Sequence, residues 1–253
     1  TQVNVIDAAT SGADTLNVEV TSDTTDLDAG TLIANDVETI NVTSTDSQLD
    51  NDGDDVNEPV ETNTLALDGD SVESIVVTGN GALDIATTAP TSTVLTMIDG
   101  SAMTGALTAD STVSEQVVKG GSADDILSAD SSKAEIYGGE GKDTITVTSN
   151  ATRSVIDGGE DADTFDITDA TLGVEAFAQF NNVNSGDTFK FNASSFSSDE
   201  VDMTLEDPST SDWINAAFNQ TTADEAIWFH HNDNTYIVVN DAAGTDAYDA
   251  GDD

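Results

Sequence analysis

This 253-residue chain has no cysteine, so no disulfide holds it together and thiol usage says nothing about its redox compartment. Basic residues are almost missing: 5 Lys and Arg stand against 50 Asp and Glu, a formal net charge of −45. Phosphate contacts need clustered Lys and Arg, so nucleic acid is excluded as a partner. No apolar run approaches the roughly 18 residues of a spanning helix, and the polar balance argues against membrane insertion. The H-E-x-x-H and G-x-S-x-G signatures are absent too, and no enzymatic activity is expected. No signal peptide is visible ahead of Thr1-Gln2-Val3-Asn4, and the acidic segment Asp241–Asp253 stops without a terminating element. A processed product or a piece of a longer protein is the expectation.

Core-forming residues are scarce as well. Val, Ile, Leu and Phe number 56 of 253, barely above the level at which so charged a chain stays disordered. Self-repulsion on this scale opposes compaction. Either the chain is unfolded alone, or multivalent cations neutralise it as it folds.

What is present favours the second alternative. Three segments carry nearly one nine-residue pattern: GGSADDILS at 120–128, GGEGKDTIT at 138–146 and GGEDADTFD at 158–166. Their starts lie 18 and 20 residues apart, about two nonapeptides each time, the signature of a glycine-rich turn that holds Ca²⁺ and leads into a short strand. Around them, short strand-like segments begin at Thr64, Ser74, Leu83, Leu95, Ala106, Gln116, Ile126, Glu135, Thr144, Ser154 and Thr164. Steps of 9 to 12 residues are too short for helical repeats; they suit a solenoid with one strand and one turn per unit and two units per coil. Leu127, Ile136, Ile145, Ile156 and Phe165 are expected to stack along its axis. The 11-residue step from Ile145 to Ile156 predicts a two-residue bulge near Ser149–Arg153.

Ahead of residue 64, Val3–Ile6, Leu16–Val20 and Thr39–Thr43 look like strands, and Gln48–Glu61 reads as an acidic loop on the flank. After Thr168 aromatic residues gather, as a cap over an open solenoid end requires. Ser211–Phe218 and Thr222–Ala226 are predicted helices, and Ile227–His230 with Thr235–Val239 a β-hairpin. The expected organisation is degenerate solenoid repeats over 1–118, calcium-binding turns over 119–169 and a cap over 170–253.

Ca²⁺ takes about six to eight oxygens, mixing carboxylates with backbone carbonyls. Glycines at positions one, two and four allow positive φ, folding the turn's carbonyls inward. The aspartate at position six points back into the turn, and the residue two places later enters the core. Stacked loops would share ions between coils. The expected ligands are Asp125, Asp143 and Asp163, with carbonyls from Gly120, Ser122, Gly138, Glu140, Gly158 and Glu160. Position four departs from glycine in Ala123 and Asp161; aspartate tolerates the left-handed conformation better. The opposite edge, Ala129–Ala134 and Ser149–Arg153, lacks the pattern, so calcium should line one edge only. Asp50–Glu58 fails the EF-hand spacing and reads as a solvated loop. Asp241, Asp246 and Asp249 suit either another ion or a frayed end. His230 and His231, adjacent on a strand, face opposite sides and make a poor metal pair. Trp213 and Trp228 read as cap packing, with a sugar-stacking role open.

The glycine-aspartate nonapeptides resemble those of the RTX family of secreted bacterial proteins. The order of VETINVTSTD (37–46), VESIVVTGNGALDI (72–85), LTMIDGSAMTGALT (95–108), the repeats and NTYIVVNDAAGTDAYDAG (234–251) is similar to the C-terminal part of calcium-dependent S-layer proteins of Gram-negative bacteria. The resemblance implies an all-β, right-handed parallel β-roll or β-solenoid with RTX calcium-binding turns and a small C-terminal cap. It further implies export by type I secretion, a bacterial cell-surface location, self-association into a lattice, and contact with other S-layer domains or surface polysaccharide. A calcium-stabilised adhesin module is the alternative, and the secretion domain or β-helix of a polysaccharide-modifying enzyme the third.

Overall fold

Alternating Thr, Val, Ile and Asn residues favour extended strands with one face buried, and strands dominate the computed structural model. It describes residues 2–5, 14–23, 25–47, 61–87, 94–170, 178–193, 195–197, 200, 216–217, 225–231 and 234–240. The N-terminal strands are β1 (Gln2–Val5), β2 (Thr15–Ser22), β3 (Leu27–Ala34), β4 (Thr39–Asp46), β5 (Thr62–Asp68) and β6 (Ser74–Gly79). Next come β7 (Ala82–Thr87), β8 (Met97–Met103), β9 (Leu107–Ser111), β10 (Val117–Lys119), β11 (Ile126–Ala129) and β12 (Glu135–Gly139). β13 (Thr144–Val147), β14 (Val155–Gly159), β15 (Thr164–Asp166), β16 (Gln179–Asn181) and β17 (Thr188–Lys190) complete the winding.

Odd-numbered strands form one parallel sheet of nine in the order β1-β3-β5-β7-β9-β11-β13-β15-β17. Even-numbered strands form a second parallel sheet of eight, from β16 back to β2. Successive strands therefore alternate between sheets, and two strands complete one coil of a β-solenoid. Ile126 pairs with Thr144 and Thr144 with Thr164, so the 18- and 20-residue spacings of the nonapeptides are the coil lengths.

The inner faces make one core, continuous from Val20 to Phe165. Leu127, Ile145 and Phe165 align on one sheet, Ile136 and Ile156 on the other, and all five are fully buried. The expected bulge takes another form. The coil gains its two residues in the turn between Val147 and Val155, while the flanking strands keep register. A turn absorbs length without moving any side chain to the wrong face; a bulge would break the ladder. At the C-terminal end Phe165, Phe180 and Phe189 pack with ring centroids 4.9–5.2 Å apart, closing the core.

A separate three-stranded sheet contains β18 (Ser195–Phe196), β19 (Glu225–His231) and β20 (Asn234–Asn240), the last two as the predicted hairpin. Its own small core holds Ala217, Ile227, Phe229 and Val238. The helix expected over Thr222–Ala226 is corrected where it can be read: Glu225 and Ala226 belong to β19, paired on both sides, and this pairing overrides local propensity. Of the helix over Ser211–Phe218, residues 216–217 are helical; its other residues, Trp213, Asp50–Glu58 and Asp241–Asp253 lie outside the described residues.

Candidate functional site

The three nonapeptide turns stack on the edge where the chain passes from the eight-stranded sheet to the nine-stranded one. Asp125, Asp143 and Asp163 are each 1% exposed there, although aspartate is seldom fully buried. Their carboxylates form a ladder. Leu107 N–H donates to Asp125 Oδ1 at 2.6 Å, Asp125 N–H to Asp143 Oδ1 at 2.8 Å, and Asp143 N–H to Asp163 Oδ1 at 2.9 Å. Asp163 N–H then donates to Asp187 Oδ1 at 3.0 Å. Each carboxylate thus satisfies a main-chain donor of the preceding coil, a charge-assisted bond.

The second oxygens differ. Asp125 Oδ2 accepts the Gly121 N–H at 2.6 Å, whereas Asp143 Oδ2 and Asp163 Oδ2 are buried without a partner. All three lie against the first glycine of their own repeat: a Cβ on Gly120, Gly138 or Gly158 would overlap Asp125, Asp143 or Asp163 Oδ2 respectively. The same Cβ on Gly120 would overlap the Gly138 carbonyl oxygen, and that on Gly138 the Gly158 carbonyl oxygen. A carboxylate oxygen of one coil and a carbonyl oxygen of the next therefore converge, within the span that one Ca²⁺ bridges.

This revises the role of the glycines. Gly139, Gly141 and Gly159 do take positive φ, at 118°, 103° and 101°, and Asp161 adopts 75° at position four. Gly120, Gly138 and Gly158 do not, and neither does Gly121. Position one demands glycine for close approach, not for left-handed backbone. Ser122, Glu140 and Glu160 sit on the exposed rim, where their N–H groups donate to Met103, Gly121 and Gly139 carbonyls at 2.8–3.1 Å. The structure thus gathers the three aspartates with Gly120, Gly138 and Gly158, and leaves the other three expected ligands at the turn tips.

Burial, joined by the neighbouring charges of Asp125, Asp163 and Asp124 and opposed by the Asp125 N–H bond, raises the Asp143 carboxyl to about 7. Burial likewise carries Asp125 up to about 6 and raises Asp163, against backbone hydrogen bonds that oppose it. Stacked, desolvated like charges seek a proton or a cation. Among the described residues no three acidic, histidine or cysteine side chains converge on one point. An ion here would draw on paired carboxylates plus carbonyls, the mixed oxygen set that calcium accepts. The donor set and the unpartnered oxygens fit Ca²⁺.

Asp187 is the residue that the nonapeptide pattern misses. Its turn, Asn184-Ser185-Gly186-Asp187, lacks the paired glycines, yet Asn184 N–H caps Asp187 Oδ2 at 2.6 Å and Asn184 Nδ2 reaches the Gly159 carbonyl at 3.1 Å. The signal was the triplet Asp187-Thr188-Phe189, matching Asp143-Thr144-Ile145 and Asp163-Thr164-Phe165.

The opposite edge is built differently. Hydroxyls replace carboxylates: Ser131 Oγ bonds Ser111 Oγ at 3.2 Å, and Ser154 Oγ donates to the Ser131 carbonyl at 3.2 Å. In the separate sheet, His230 Nδ1 lies 3.0 Å from Glu200 Oε1 and the His230 ring packs edge-on against Trp228, so both are engaged locally.

No protein-family model matches this chain, and no curated protein matches it.

Proposed function

We propose that this chain is a calcium-dependent structural protein of the bacterial cell exterior, folding as it meets Ca²⁺ and assembling there into an S-layer-type lattice. The observation that carries the reading is the aspartate ladder, with Asp143 Oδ2 and Asp163 Oδ2 buried and unpartnered in a chain of net charge −45. An ionised carboxylate in that position is costly without a counter-charge. Asp125, Asp143 and Asp163 would hold the ions, with the Gly138 and Gly158 carbonyls; Ca²⁺ supplies positive charge between coils and no redox or acid–base chemistry.

In a cytosol poor in free calcium the charged chain stays extended, which suits export of an unfolded polypeptide. Outside, Ca²⁺ binds the folded coils alone and stabilises them by mass action. The gain is about 2.7 kcal/mol per site at a hundred times the dissociation constant. A few such sites rival the roughly 5–15 kcal/mol net stability of an ordinary domain.

The deciding experiment is circular dichroism of the full chain in chelator and after calcium is restored, followed by electron microscopy in both states. Strand signal and ordered sheets that come and go with calcium are expected. A chelated chain with an unchanged spectrum would sink the folding mechanism, and folded protein that never forms arrays would sink the lattice. A second reading, a glycan-binding adhesin module, draws on an open groove on the outer face of the eight-stranded sheet. It is lined by Met97, Val117, Lys119, Glu135 and Tyr137; saturable glycan binding by monomer would favour it.

A further inference from the structure

The two outer faces of the solenoid differ in charge. The alternation that turns Ile40 and Val42 inward turns Thr39, Asn41 and Thr43 outward, and the neighbouring strands follow the same rule. Along the outward rows of β2, β4, β6, β8 and β10 the charged side chains are Glu19, Asp99 and Lys119. Asp99 and Lys119 lie 3.9 Å apart, so one net negative charge is left. On the other face the same coils, through β3, β5, β7, β9 and β11, turn out Asp28, Asp68, Asp84 and Asp110 and no base. That face is crowded with like charge: burial raises the Asp110 carboxyl, and Asp130 and Asp84 add to the effect.

Hydroxyls and carboxamides take the place of acids on the neutral face. Asn17 stands beside Asn41, and Thr43 beside Thr78, on neighbouring strands. Asn41 Nδ2 donates to Asn17 Oδ1 at 2.9 Å, and the Thr43 and Thr78 hydroxyls lie 3.2 Å apart. These cross-strand bonds order the side chains in advance, which lowers the entropic cost of docking. Val76, Met97 and Val117 add half-buried apolar groups, Met97 and Val117 being directly paired. Hydroxyls and carboxamides both donate and accept, whereas carboxylates only accept. A face of Thr and Asn can therefore hydrogen-bond to its own copy. The aspartate face offers its copy acceptors and repulsion.

We infer that the outer face of the eight-stranded sheet, from β2 to β10, docks a second copy of this chain, the two faces meeting about a two-fold axis. The inference rests on the assembly half of the proposed function and names a contact for it. Two molecules of net charge −45 repel, so a face nearly free of charge is where they can meet. A two-fold contact uses the same patch twice, so any charge on it counts twice. An uncharged sugar imposes no such condition, and the scarcity of acids here thus favours a copy over a saccharide. Five strands of this length present about 500 Å² per copy, near the lower bound for a specific interface. One such contact is weak alone and gains strength by repetition in an array.

The test exploits a chain without cysteine. Full-length Thr43→Cys, on the neutral face, and Thr64→Cys, on the aspartate face, are labelled with a maleimide in saturating calcium, dilute and concentrated. Labelling of Thr43→Cys is expected to slow as the chain is concentrated, and that of Thr64→Cys to stay constant. Equal behaviour of the two thiols overturns the proposal, as does wild type that stays monomeric throughout. Sedimentation velocity then compares Thr43→Glu/Val76→Glu with Thr64→Glu/Ala66→Glu, after circular dichroism has verified that each is folded. The first pair should weaken self-association roughly tenfold or more, because like charges meet across the axis; the second should leave it near wild type. Should the first pair not fold, thiol protection decides alone. Arrays that survive in folded Thr43→Glu/Val76→Glu overturn this contact and leave the lattice reading standing. Wild-type dimers that protect Thr43→Cys without forming arrays support the contact and sink the lattice. Glycan binding by a monomer, lost in Thr43→Glu/Val76→Glu with no self-association seen, overturns the proposal and gives the face to a sugar.

Discussion

The backbone N–H of Asp125 donates to Oδ1 of Asp143 at 2.8 Å, so the carboxylate of one coil closes the turn of the coil before it. One side chain serves two purposes. Its first oxygen is a structural acceptor, and its second, buried without a partner, is the one the proposed ion would meet. The two can be separated by mutation.

Asp143→Asn keeps an acceptor for the Asp125 amide and removes the buried charge; its amide hydrogens face the Gly158 carbonyl beside Gly138. In chelator at pH 8 the variant is expected to be more stable than wild type, by about 1 kcal/mol. In saturating calcium the order reverses, because an ion ligand is lost. Asp143→Ala removes both functions and should destabilise by about 1–3 kcal/mol under either condition. Denaturant melts of the three chains, with and without calcium, check the crossover.

Acid should stabilise the calcium-free protein near neutrality. Asp125 and Asp143 are raised to about 6 and about 7 by burial, above the ordinary carboxylate value. The folded state thus binds protons more tightly than the unfolded chain. Their contribution is complete below the unfolded value near pH 4 and is lost as pH rises through 6 to 7. In chelator the melting temperature should climb from pH 8 to pH 5. In excess calcium that slope should flatten or invert, since protons compete with the ion. Scanning calorimetry across this window, with Asp143→Asn as the control whose slope is shallower, checks it.

Gly138→Ala should destabilise by about 3 kcal/mol, the upper range for overpacking, because its Cβ meets the Asp143 carboxylate and the Gly158 carbonyl together. At Gly141, whose φ is 103°, d-alanine should be tolerated better than l-alanine. Urea midpoints of the substituted chains distinguish steric from torsional demand.

Phe180→Ala should cost about 2 kcal/mol, below the usual range for aromatic truncation because Phe180 is only half-buried. It removes two of the three contacts in the ring cluster, one of them to Phe165. Hydrogen exchange should then show β14 and β15 losing protection well before β4.

The fold was legible because its period is short and repeats often: inward marks at Leu127, Ile136, Ile145, Ile156 and Phe165 place both sheets. The three aspartates were legible because each ends a glycine turn and precedes a core residue by two. What escaped was context carried by tertiary pairing. Asp187 lies in a turn held by Asn184 in place of paired glycines. Glu61 reads as one more acid in an acidic stretch, yet it is buried just ahead of β5. Glu225 and Ala226 read as helical alone, yet partners on both sides make them strand. The need for glycine at positions 120, 138 and 158 comes from a neighbour's oxygen, which no local φ rule supplies.

The two edges of the coil also differ in how freely their length varies. From the first glycine to the aspartate the count is the same in all three turns, while the far side accommodates five residues after Ala129 and seven after Val147. Within the nonapeptide coils, insertions that survive selection should therefore cluster on the hydroxyl side. Whole-coil duplications, cut anywhere along that side, offer the lineage a way to lengthen the rod without disturbing the acidic spine.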